Sequence, residues 1–121
     1  MTILSPQTHR VLDFLTVVAF ALAPTVVQLT GPAAVLAYVL AGVHLTMTLA
    51  TEFPEGRRKP LPFRGHGVVE AVVGVTLIVL PFITGWAGSA RTFYVAAGAV
   101  ILGVWALTRY NAQRPSAGAS V

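Results

Sequence analysis

Four stretches of the chain are apolar with few interruptions, and each has the length of a helix that crosses a bilayer. They run from about His9 to Leu29, Ala33 to Phe53, Gly65 to Gly85 and Ser89 to Tyr110. About 20 residues at a rise of about 1.5 Å cover the roughly 30 Å of a hydrocarbon core. Helix is the state such stretches must take in lipid, because a lone strand would leave its peptide groups unpaired. Turn formers fall between them: Thr30-Gly31-Pro32 after the first, and Thr84-Gly85-Trp86-Ala87-Gly88-Ser89 after the third. Short connections make antiparallel neighbours, so the pattern predicts two helical hairpins. The central connection, Pro54 to Pro62, is rich in proline and basic residues.

A second regularity lies beneath the first. A shift of 57 residues aligns the halves without a gap, so that His9 meets His66, Asp13 meets Glu70, Pro24 meets Pro81 and Gly31 meets Gly88. Thr51-Glu52-Phe53 likewise meets Thr108-Arg109-Tyr110. Valines align by chance in apolar segments; a histidine, a carboxylate, a proline and a threonine at one offset do not. The expected fold is an all-α integral membrane protein. Its four transmembrane helices form two tandem hairpins related by a pseudo-two-fold axis along the membrane normal. The chain then divides as one membrane domain, 1–121, with unit one at 9–53, a basic loop at 54–64, unit two at 66–110 and a disordered tail at 114–121. Each proline stands near the far end of its helix, where a missing donor kinks or ends it.

Composition sharpens this reading. Hydrophobic residues make up 55% of the 121 residues and charged residues 10%, against roughly 25% charged in soluble proteins. A chain this small cannot hide so much apolar surface in its own core. The net charge of +4 comes from residues in loops and at helix ends. Arg10, Arg57, Arg58, Lys59, Arg64, Arg109 and Arg114 fall on one side and only Arg91 on the other. The positive-inside rule then puts both termini and the central loop in the cytoplasm. Arg57, Arg58 and Lys59 are expected to meet anionic headgroups, and nothing suggests a nucleic-acid surface. Trp86, Phe93 and Tyr94 are expected at the outer boundary, and Phe53, Phe63, Trp105 and Tyr110 at the inner one. Ala21-Leu22-Ala23 resembles a signal-peptidase site, but Pro24 disfavours cleavage and the same segment recurs later. With no cysteine, thiolate metal sites and disulfides are excluded.

The layout His-x-x-x-(Asp/Glu), apolar run, proline, second span and Thr-x-(Phe/Tyr), twice over, resembles the SPW-repeat family of small bacterial membrane proteins. The likeness covers about residues 9 to 110. At the tripeptide that names the family this chain reads Ala23-Pro24-Thr25 and Leu80-Pro81-Phe82, so only the prolines survive. The resemblance implies a bacterial inner-membrane location and transfers no biochemical activity.

Candidate chemistry concentrates in His9, Asp13, His66 and Glu70. Each His–acid pair is spaced i, i+4 and shares a helix face. If the first and third helices are neighbours, two imidazoles and two carboxylates converge, a donor set that suits zinc, manganese or iron. The competing reading sets the carboxylates in the positive first turn of each helix and lets each histidine bond to a neighbouring helix end, at Thr51 or Thr108. His44 lies inside the second span, opposite Ile101 in the repeat, and is an intramembrane polar candidate. Counted from Phe53 it stands about 13 Å above the inner end, too far from His9 or His66 to share a haem, with Thr46, Thr48 or Gln28 as polar neighbours. Glu52 and Arg109 are a candidate ion pair across the two units. Ala33/Ala37/Ala41, Ala19/Ala23 and Ala99/Gly103 are spaced for close helix packing. Motifs for nucleotide binding or nucleophilic catalysis are missing, so no enzyme and no cofactor are expected, a metal ion at the His–acid pairs aside. The leading expectation is a non-catalytic scaffold or accessory subunit, self-associated or within a larger membrane complex. The alternatives are an oligomeric transporter or channel for small solutes or ions, and a metal-binding membrane protein.

Overall fold

A computed structural model describes residues 3–52, 59–108 and 110. Four helices dominate: α1 (Pro6–Val26), α2 (Gly31–Ala50), α3 (Phe63–Thr84) and α4 (Gly88–Leu107). All four are long and apolar enough to cross a membrane. α1 opens on Ser5, whose hydroxyl accepts from the Thr8 amide at 3.1 Å, with Pro6 in the first turn where its missing N–H costs nothing. α3 closes on Gly85 in the left-handed conformation, φ 76°.

The boundaries differ from expectation in an informative way. α2 and α4 stop at Ala50 and Leu107, three residues short of the expected ends, and the chain becomes extended at Thr51 and Thr108. Thr51–Glu52 (β1) pairs in parallel with Leu61–Pro62 (β2), and Leu4 forms a parallel bridge with Thr108. The far end of the expected 54–64 loop is therefore β2 and the first turn of α3. Leu4 and Leu61 are 57 residues apart, as are Thr51 and Thr108. Pro24 and Pro81 end neither helix; both lie in a last turn that continues to Val26 and Thr84. Residues 53–58, Arg109 and the 114–121 tail lie outside the described residues.

α1 packs chiefly on α2, and α3 on α4, giving two hairpins. The second pair crosses closely at Gly74 and Gly98. A Cβ on Gly98 would fall 2.6 Å from the Gly74 carbonyl oxygen, which a helix backbone cannot yield. Between the hairpins, Phe20 meets Phe93 edge to face at 5.8 Å, and the Tyr94 hydroxyl donates to the Ala33 carbonyl at 2.6 Å. Tyr94 is fully buried against Trp86 and is a core residue rather than a boundary anchor.

Burial follows the 57-residue offset. His9 and His66, Asp13 and Glu70, Phe20 and Leu77, and Pro24 and Pro81 are buried. Val11, Leu15, Val18 and Leu22 form an exposed stripe on α1, and Val68, Val72, Val75 and Val79 form its counterpart on α3. Only 17–28% of each helix's most apolar 18-residue stretch is buried. The hydrophobic surplus faces outward, which in water would be a large exposed apolar patch. Ala33, Ala37 and Ala41 do line the packed face of α2. Ala19, Ala99 and Gly103 face outward, so their spacing does not serve packing within the bundle.

Candidate metal centre

At the end of the bundle where α1 and α3 begin and α2 and α4 finish, eight polar residues are buried among the described residues: His9, Asp13, His44, Thr48, Thr51, His66, Glu70 and Thr108. Asp13 and Glu70 are each the eighth residue of their helix and not in a first turn, so neither complements a helix dipole. The first-turn placement therefore fails for both carboxylates, while the histidine bonds to Thr51 and Thr108 that the same reading expects are present.

The i, i+4 pairs of α1 and α3 interlock. His9 Nε2 lies 3.1 Å from Asp13 Oδ1 and 3.0 Å from Glu70 Oε2. His66 Nε2 lies 3.1 Å from Asp13 Oδ2 and 3.0 Å from Glu70 Oε1. Imidazoles and carboxylates alternate around a ring, and one donor atom from each of the four residues lies within 4.8 Å of all the others. The four contacts use both oxygens of each carboxylate, so they bound a central space toward which all four residues offer a donor atom. His9 Nε2 and Asp13 Oδ2 have no hydrogen-bond partner despite these short approaches. For His9 the distance to its carboxylates is right and the direction is not.

Two threonines set the rings. Thr51 Oγ1 donates to the Met47 carbonyl at 2.6 Å, so toward His66 Nδ1, 2.7 Å away, it can only accept. Thr108 Oγ1 donates to the Val104 carbonyl at 2.5 Å and accepts from His9 Nδ1 at 2.8 Å. Both imidazoles therefore carry a proton on Nδ1 and turn Nε2 into the ring, where His66 Nε2 hydrogen-bonds Glu70 Oε1 at 3.0 Å. An outer partner on one nitrogen that frees the other for coordination is the usual support of a metal-bound histidine. Each threonine comes from the opposite hairpin: α1 is read by the end of α4, and α3 by the end of α2.

Phe63 and Tyr110 close the end. Phe63 stands edge to face on His9 at 5.4 Å and 4.8 Å from the Tyr110 ring. The Tyr110 hydroxyl donates to Glu70 Oε2 at 3.4 Å. Burial pushes the Tyr110 phenol above its ordinary range, and the Glu70 and Asp13 carboxylates beside it act the same way, so it keeps its proton and donates. Gly67 makes room for it: a Cβ there would sit 2.5 Å from the Tyr110 ring.

His44 corrects the depth argument made from sequence. Its ring is 6.1 Å from that of His66, and its Nε2 lies 3.4 Å from Asp13 Oδ1 and 3.6 Å from Glu70 Oε1. Because α2 stops at Ala50, His44 is six residues from the helix end, about 9 Å. Asp13 is seven residues in from Pro6, about 10 Å, so the two meet at one level. The proposed neighbour Thr46 bonds instead to its own Gly42 carbonyl. The sequence did hold a signal: the buried stripe Ala33, Ala37, Ala41 continues at helical spacing to His44 and Thr48. The Glu52–Arg109 pair falls outside the described residues, because Arg109 does.

No family model, curated protein or solved structure matches this chain.

Proposed function

We propose that this protein is an integral membrane protein that binds one divalent transition-metal ion through His9, Asp13, His66 and Glu70. The observation that carries the reading is the buried ring in which two threonine-locked imidazoles present Nε2 between two carboxylates. Asp13 and Glu70 are 2% and 3% exposed. Two buried carboxylates are costly unless their charge is balanced, and a dication on the ring axis balances both at once. That converging donor set is the support for metal binding over the accessory-subunit expectation.

The same reading places four helices across a bacterial inner membrane, both termini and the central loop cytoplasmic, by the asymmetry of basic residues. It treats the hairpins as two copies of one unit about an axis along the membrane normal, with an SPW-repeat layout. The ring then lies on that axis near the cytoplasmic surface, each copy giving one histidine and one carboxylate and borrowing one threonine.

Elemental analysis of the detergent-purified protein after dialysis against buffered transition metals tests this. One ion per chain is expected, with loss of the ion in an Asp13→Asn, Glu70→Gln variant that still elutes as a folded species. Absence of stoichiometric metal from the wild-type chain, across manganese, iron, cobalt and zinc, would leave the ring a purely structural imidazole–carboxylate network.

A further inference from the structure

Four donors account for the ring and leave one buried imidazole unexplained. His44 is 7% exposed and its Nε2 has no hydrogen-bond partner. A buried polar nitrogen without a partner is rare and calls for a reason. This one reaches toward Asp13 Oδ1 and Glu70 Oε1, which belong to opposite corners of the ring. His44 Nε2 thus stands beside both carboxylates, outside the four donor atoms that lie within 4.8 Å of one another. We propose that His44 is a fifth, axial ligand, so that the centre holds a five- or six-coordinate divalent ion with three imidazole and two carboxylate donors. The proposal rests on the reading of the ring as a metal centre.

The alternation of imidazole and carboxylate puts like donors across the ring from each other, leaving the axis as the direction of approach for a further ligand.

A neutral imidazole adds a donor without changing the charge balance between one dication and two carboxylates. Three imidazoles disfavour magnesium and calcium, which take oxygen ligands, and two carboxylates disfavour copper(I), which takes sulfur; the divalent ions from manganese(II) to zinc(II) remain as the class. The fifth donor also breaks the equivalence of the halves. The position that matches His44 on α4 is Ile101, which is buried and has no donor to give, so only one axial site carries a protein ligand.

Cobalt(II) bound to the full-length protein in detergent makes the count directly. The imidazole N–H protons of cobalt-bound histidines appear as exchangeable, strongly shifted proton resonances, one per ligand. Three such resonances are expected in the wild-type chain. Two should remain in His44→Ala and in the more conservative His44→Gln, with cobalt binding weakened by about 10-fold or more, at least the effect of losing an outer-shell partner. Two resonances in the wild-type chain, unchanged by either substitution, would overturn the fifth ligand and leave the four-residue ring standing. Failure of the wild-type chain to bind cobalt at all would overturn both.

Discussion

The two ends of the bundle close by different means. At the end where α1 turns into α2 and α3 into α4, the packing is hydrocarbon: Phe20, Ala23, Leu29, Ala33, Leu77 and Tyr94 are buried, and the buried Tyr94 hydroxyl is satisfied by the Ala33 carbonyl. At the other end the same four helices enclose three imidazoles, two carboxylates and three threonines. The first end shows that this bundle can be closed with Ala, Leu and aromatic side chains alone. The polar end is therefore not a requirement of the bundle's packing, and its desolvation cost is what the proposed ion would offset.

The largest break in this contrast should come from the carboxylates. Asp13→Ala or Glu70→Ala leaves the partner charges uncompensated at the polar end, and unfolding in detergent should show a loss of about 3–5 kcal/mol. A loss no greater than at an outward-facing valine would mean that water reaches the ring. Next comes Gly98→Ala, which forces α3 and α4 apart at Gly74. It should cost about 1–3 kcal/mol by overpacking while leaving metal stoichiometry at one.

The threonines sharpen the comparison between the halves. Thr51→Val and Thr108→Val each remove the acceptor that fixes one histidine ring, and each should weaken metal binding about 10- to 100-fold. The two effects should be alike; an effect from one alone would show that the hairpins do not contribute equally. At the apolar end Tyr94→Phe deletes one hydrogen bond to Ala33, with an expected cost of about 1–2 kcal/mol and no change in metal affinity by titration. Smallest of all, Val18→Ala and Val75→Ala, on the matching outward stripes, should each shift stability by no more than about 0.5 kcal/mol.

Much of the fold was legible because it rests on the length and apolarity of four segments, which are properties of the sequence itself. The i, i+4 pairs were legible for the same reason: helix geometry alone puts His9 beside Asp13 and His66 beside Glu70. Which carboxylate faces which histidine across the bundle, His9 to Glu70 and His66 to Asp13, depends on how α1 sits against α3, and that is a tertiary fact. His44 was misplaced because hydrophobic runs do not mark helix ends to within a turn. Thr51 and Thr108 leave the helix to meet Leu61 and Leu4, which shortens α2 and α4 and brings His44 level with the carboxylates. Tyr110 read as a boundary aromatic because nothing in its neighbourhood announces that Gly67, far off in sequence, clears a seat for its ring.

The most direct test of the central claim is X-ray absorption at the edge of the ion bound by the wild-type protein. The account predicts a shell of nitrogen and oxygen donors at about 2.0–2.2 Å with the outer scattering of at least two imidazole rings. An all-oxygen shell without imidazole scattering would contradict it, because the ion would then be held somewhere other than the buried ring of His9, Asp13, His66 and Glu70.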